Sequence, residues 1–88
     1  MAQVGVTLVH PTTNEQLPAR LPDDASVAQI LPLLVTRLSL PTSDSRGAIT
    51  YHVDHKASGR TLGEDDTLGG AGVTEGDVLR IRAEWVAG

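Results

Sequence analysis

Hydrophobic positions along this chain follow two periods, and the switch between them marks out the elements. In "VGVTLVH" (4–10), Val4, Val6 and Leu8 alternate with smaller or polar residues. Alternation at period 2 predicts a half-buried strand. "PTTNE" (11–15) is turn chemistry. "QLPARL" (16–21) alternates again, with Leu17, Ala19 and Leu21 on one face and Pro18 on the other. Proline cannot donate to a ladder, so this run is expected at a sheet edge. Together the two runs predict an N-terminal hairpin.

The period then lengthens. Val27, Ile30, Leu31, Leu34, Val35 and Leu38 recur as one wide apolar stripe, which predicts an amphipathic helix. Ser26 with Gln29 three residues on has the capping-box form, and Asp23 and Asp24 complement a helix N-terminus. Pro32 sits inside the stripe and is expected to bend the helix, because it removes one backbone hydrogen bond. "LPTSDSRG" (40–47) ends it. "AITYHV" (48–53) predicts a third strand with Ile49, Tyr51 and Val53 on one face, and "RTL" (60–62) a short fourth. "GEDDTLGGAGVTEGD" (63–77) reads as a long irregular connection anchored by Leu68 and Val73. In "VLRIRAEW" (78–85), Leu79, Ile81 and Ala83 point one way and Arg80, Arg82 and Glu84 the other. The order β-β-α-β-β-β, with the apolar first and last strands as central neighbours, predicts an α+β fold of the β-grasp kind. One helix would cover a mixed sheet of four to five strands.

Composition narrows the chemistry. The chain's 88 residues suffice for one domain. There is no Phe, and Trp85 and Tyr51 are the only aromatics, so the core must be aliphatic. A net charge of −4 without a basic stripe argues against nucleic acid. With no cysteine there is no disulfide frame, thiolate metal site or cysteine nucleophile. The N-terminus lacks the basic-then-apolar pattern of a secretory signal. The longest apolar run, "ILPLLV", is far short of the roughly 20 residues a membrane span needs. These features predict a soluble cytoplasmic monomer with no nucleic-acid or membrane partner.

No catalytic constellation emerges. His10, His52 and His55 lack metal-ligand spacing, and although His52 and His55 flank Asp54, strand alternation separates neighbouring side chains. "EDD" (64–66) supplies too few oxygens for Ca²⁺, and "GGAG" (69–72) lacks the Lys-Ser/Thr of a phosphate loop. The chain is therefore expected not to be an enzyme and to hold no metal or cofactor. Two other features are candidate binding surfaces. His52, Arg80 and Arg82 would share the outer sheet face, as a charged docking surface or as an ordinary solvated one. Trp85 would either anchor in a partner's pocket or fold back over the sheet edge.

From Gly59 onward, "GRTLGEDDTLGGAGVTEGDVLRIRAEWVAG" resembles the C-terminal part of ubiquitin without a gap. Gly59, Leu62, Thr67, Leu68, Val73, Leu79 and Ile81 fall on its glycine, threonine and aliphatic positions, and Gly88 on its last glycine. A closer resemblance is to the YukD type of ubiquitin-like domain from bacterial type VII secretion systems. It rests on "LPDDASVAQILPLL", with its helix proline, on the "GRTL…DTL" loop and on "GVTEGDVLRI". The resemblance implies a ubiquitin-like domain over 1–83 and a flexible tail over 84–88. Its first functional implication is a bacterial protein modifier. An ATP-dependent activating enzyme would adenylate Gly88, and a conjugating enzyme would pass the chain to a target amine. A deconjugating or processing peptidase would complete the set, and the ATP would be the activating enzyme's. Without a Cβ, a terminal glycine threads a narrow channel. Glu84, Trp85, Val86 and Ala87 would then be read by those enzymes. Lys56, the one lysine, would accept chain linkages, or its scarcity would favour single conjugates. The alternative is a non-covalent accessory or regulatory module of a type VII secretion system, with Gly88 dispensable. A third reading, a sulfur carrier with a thiocarboxylate on Gly88, has Ala87 against it. Arg82 stands where ubiquitin has an apolar recognition residue, and the tail lacks ubiquitin's arginines. Ubiquitin's own receptors and activating enzyme are therefore expected not to bind.

Overall fold

The two apolar periods fold as two packed layers. The computed structural model describes residues 3–86. Strands β1 (Gln3–Val9) and β2 (Gln16–Pro22) form the expected hairpin. His10 N–H donates to the Glu15 carbonyl at 2.9 Å, and Asn14 takes the left-handed φ of 59° that asparagine tolerates better than most residues. Helix α1 (Val27–Arg37) follows, then β3 (Ser43–Asp44), β4 (Gly47–His55), β5 (Arg60–Leu62) and β6 (Asp77–Val86).

These strands make one mixed six-stranded sheet in the order β2-β1-β6-β4-β3, with β5 on the same side of β4 as β3. β1 and β6 run parallel and share the centre, and Leu8 sits opposite Leu79. Both are only 1% exposed. The sheet is larger than the four to five strands expected. The extra strand, β3, has two residues, too few to carry a period. At the opposite edge, Pro18 and Pro22 stand four residues apart on β2, at positions of the same parity. Having no N–H, they leave that edge short of donors for pairing with another chain.

The inward positions are those the alternation indicated. Val4, Val6 and Leu8 meet Ala19 and Leu21, Ile49, Tyr51 and Val53, and Leu79 and Ile81. Val27, Ile30 and Leu34 cover them from the helix, and Leu68 and Val73 pin the long connection, as expected. The capping box is complete: Gln29 N–H reaches Ser26 Oγ at 3.3 Å, and Ser26 N–H reaches Gln29 Oε1 at 3.1 Å. Ser26→Ala is expected to cost about 1 kcal/mol, read as a lower urea midpoint with unchanged slope. The helix continues through Pro32, which lies on its exposed side, to Arg37. It ends where Ser39 turns left-handed at φ 54° and Leu40 N–H returns to the Val35 carbonyl at 2.9 Å.

Candidate functional site

The outer face of β4 and β6 is built by register. Thr50 sits opposite Glu84, His52 opposite Arg82, and Asp54 opposite Arg80. Even-numbered positions of both strands point away from the helix, so His52, Arg80 and Arg82 come together as the sequence indicated.

Arg82 is the hub of this face. Its Nε donates to Asp54 Oδ2 at 3.1 Å and its Nη2 to Thr61 Oγ1 at 3.4 Å. Thr61 Oγ1 donates in turn to Asp54 Oδ1 at 2.7 Å. Glu84 Oε2 lies 3.9 Å from Arg82 Nη1 and 3.7 Å from His52 Nε2. Partial burial alone would push the Asp54 carboxyl up. The hydrogen bonds from Thr61 and Arg82, with the nearby positive charge, outweigh it and hold Asp54 below the usual carboxylate range.

Arg80 leans the other way, and its Nη2 reaches Asn14 Oδ1 at 3.4 Å. Between these side chains runs an open groove of about 630 Å³, floored by Val9 and Val78 and rimmed by Asn14, Lys56 and Gly59. Lys56, singled out in the sequence as a linkage acceptor, thus belongs to this face. Asn14 and Thr61 were not legible as site residues, because they arrive through the hairpin turn and through β5.

The last strand differs from expectation. It was expected to give way to a flexible tail after Ala83, yet the ladder pairs Glu84 with Thr50, Trp85 with Ile49 and Val86 with Ala48. Trp85 points to the helix side, at the end of the core, and stays 39% exposed. Its Nε1 donates to Asp44 Oδ2 at 2.9 Å, and the Arg46 guanidinium lies 3.9 Å above its ring, a favourable cation–π arrangement. The indole N–H, followed by the Arg46 backbone N–H, holds the Asp44 carboxyl below its usual range. Trp85 thus packs at the sheet edge while keeping more than a third of its surface open. Ala87 and Gly88 lie outside the described residues.

His55 faces inward, 4% exposed. Its Nε2 donates to Asp77 Oδ2 at 2.8 Å, and its Nδ1 lies 3.0 Å from Ser58 Oγ. Asp77 Oδ2 also accepts from Thr74 N–H at 2.9 Å. That backbone donor, then His55, draws the Asp77 carboxyl below its usual range. His52 and His55 therefore occupy opposite faces. Among the described residues no group of three or more His, Asp or Glu side chains is arranged to hold a metal ion. The outer face thus presents the anchored Arg82 guanidinium, the Arg80 guanidinium and the Lys56 ammonium around a short apolar floor.

Comparisons with known proteins agree with this architecture. A family model described as WXG100 protein secretion system (Wss), protein YukD, matches residues 3–81. Among solved structures, Caldiarchaeum subterraneum ubiquitin is similar with a TM-score of 0.71 and 22% identity, over 99% of this chain and 100% of its own. The ubiquitin-like domain of the Mycobacterium tuberculosis type VII secretion system protein ECCD1 is similar with a TM-score of 0.71 and 23% identity, over 93% and 99%. The EccD5 ubiquitin-like domain from Mycobacterium xenopi is similar at 0.66 and 14%, over 98% and 99%. At these identities the structures speak for the fold, a ubiquitin-like β-grasp. A search of curated proteins finds no match.

Proposed function

Since the chain belongs to the YukD family of the WXG100 protein secretion system, we propose that it is a non-covalent, protein-binding module of such a system, docking through the outer face of β4 and β6. The observation that carries this reading is the constellation of His52, Arg80 and Arg82 on one face, with Arg82 anchored at its centre. Arg82 is fixed by Asp54 and Thr61, so the face is presented in one arrangement and loses little conformational freedom on binding. The likeness to the ubiquitin-like domain of a type VII secretion protein supports the same setting. The modifier reading draws on Gly88, and nothing in the family match speaks for conjugation. Glu84, which that reading would give to partner enzymes, lies 3.9 Å from Arg82, and Trp85 donates to Asp44.

The test is capture of purified secretion-system proteins encoded near the gene. Capture is expected to survive deletion of Gly88 and to fall roughly tenfold or more with Arg82→Glu, because a like-charge contact replaces an attractive one. A covalent adduct formed with an activating enzyme and ATP, and lost on deleting Gly88, would overturn the proposal.

A further inference from the structure

The chain is acidic overall, with 7 Lys and Arg against 11 Asp and Glu, but the two signs are segregated. Asp23, Asp24, Glu64, Asp65 and Asp66 gather around the N-terminal end of α1. There Val27 N–H donates to the Asp66 carbonyl at 2.8 Å, Ala28 N–H to that of Glu64 at 3.0 Å, and Gly69 N–H to that of Asp23 at 2.9 Å. The cations gather elsewhere. Lys56, Arg80 and Arg82 line the groove on the outer sheet face. Among the described residues one carboxylate lines the groove, that of Asp54, and it is already taken by Arg82 and Thr61. Among the described residues Lys56 and Arg80 have no ion-pair partner. The groove therefore keeps a net positive field within a negatively charged protein.

The shape of the groove indicates what it accepts. Its floor is strand, with half-buried Val9 and Val78, and β6 runs through it from Val78 to Arg82. Lys56 lies level with Val78, whose carbonyl accepts its N–H at 3.1 Å, and Arg80 stands two residues further along β6, an offset of about 6.6–6.8 Å along the strands. An extended chain presents its own alternate residues at the same repeat. A guanidinium without a partner makes its strongest contact with a carboxylate, through two parallel hydrogen bonds.

We infer that this groove is the docking site for an extended acidic segment of a partner protein, one with Asp or Glu at alternate positions. Its carboxylates engage Arg80 and Lys56, and its intervening side chains lie against Val9 and Val78. The inference rests on the docking-face reading above and names the chemistry of its partner.

Fluorescence anisotropy of the full chain with a fluorescein-labelled peptide of alternating glutamate and threonine tests it. The peptide is expected to bind at low salt and to weaken about fivefold or more as salt rises to about 300 mM. Arg80→Glu and Lys56→Glu should each lower affinity roughly tenfold, whereas Arg37→Glu, on the helix, should not. Circular dichroism confirms that the variants are folded. Absence of binding at low salt, or equal binding by Arg80→Glu, overturns the inference. So does self-association of the chain abolished by Arg80→Glu, since the acidic end of a second copy would then be the occupant. Should Arg80→Glu abolish capture of a secretion-system protein while the peptide fails to bind, the docking face stands and the acidic-segment inference alone falls.

Discussion

Replacing His55 with alanine is expected to lower stability by about 2–4 kcal/mol, a fall in Tm of roughly 10–30 °C for a domain of this size. The ring is 4% exposed and ties the end of β4 to the start of β6 through Asp77. Its removal opens a cavity beneath the β4–β5 turn and takes a donor from Asp77 and a partner from Ser58. Asp77 also holds the Thr74 backbone, so the same contact fixes the end of the long connection that Leu68 and Val73 anchor.

An acid titration separates this network from simple packing. Asp77, Asp54 and Asp44 all have carboxyl pKa values below the ordinary 3.8. A carboxyl with a depressed folded-state pKa contributes stability that is fully present above its unfolded value. That contribution is lost as pH falls through the folded value. The wild-type protein should therefore hold its stability at neutral pH and lose it progressively below about pH 4. Asp77→Asn should flatten that acid limb, and His55→Ala should flatten it in part, because Thr74 N–H still favours the ionised carboxylate. Tm measured across the acid range decides the matter. An unchanged acid limb in Asp77→Asn would show that the His55–Asp77 contact is packing alone.

The periodic elements were legible in the sequence because each carries its own local signal. The α1 stripe with Ser26 and Gln29, and the parity of Arg80 and Arg82 on β6, need no knowledge of neighbours. What was not legible depends on chain that arrives from far away. Arg80 meets Asn14 across 66 positions and Arg82 meets Thr61 across 21, so the groove exists only after the sheet forms. β3 was hidden because "LPTSDSRG" has loop composition and its two strand residues show no alternation. With β3 hidden, Asp44 and Arg46 could not be seen as partners of Trp85. The end of β6 was missed for a related reason. Glu84, Trp85 and Val86 are all exposed, so burial alternation stops before backbone pairing does.

Gly47→Val is expected to destabilise the protein by about 2–3 kcal/mol and to free the end of β6. Two independent effects coincide at this position. Gly47 has φ 127°, which side chains beyond glycine rarely adopt. A Cβ there would also lie 2.7 Å from the Val86 carbonyl oxygen, a backbone atom held in the ladder by the pairing of Val86 with Ala48. Neither the turn nor the strand can yield without unpairing the other. Gly59→Val serves as the comparison, because Gly59 also has positive φ, at 70°, but a Cβ there meets nothing within 4 Å. It should lose only the conformational part, about 1 kcal/mol. Trp85 is the sole tryptophan and reports directly on the end of β6. Its emission should shift to the red in Gly47→Val, as Asp44 and Arg46 lose their hold, and stay unchanged in Gly59→Val. The consequence reaches the docking face, because Glu84, next to Trp85, contacts both Arg82 and His52. A loosened strand end should therefore weaken partner capture although no docking side chain is altered. Native-like Trp85 emission in Gly47→Val would mean that the end of β6 is held by something other than this close approach.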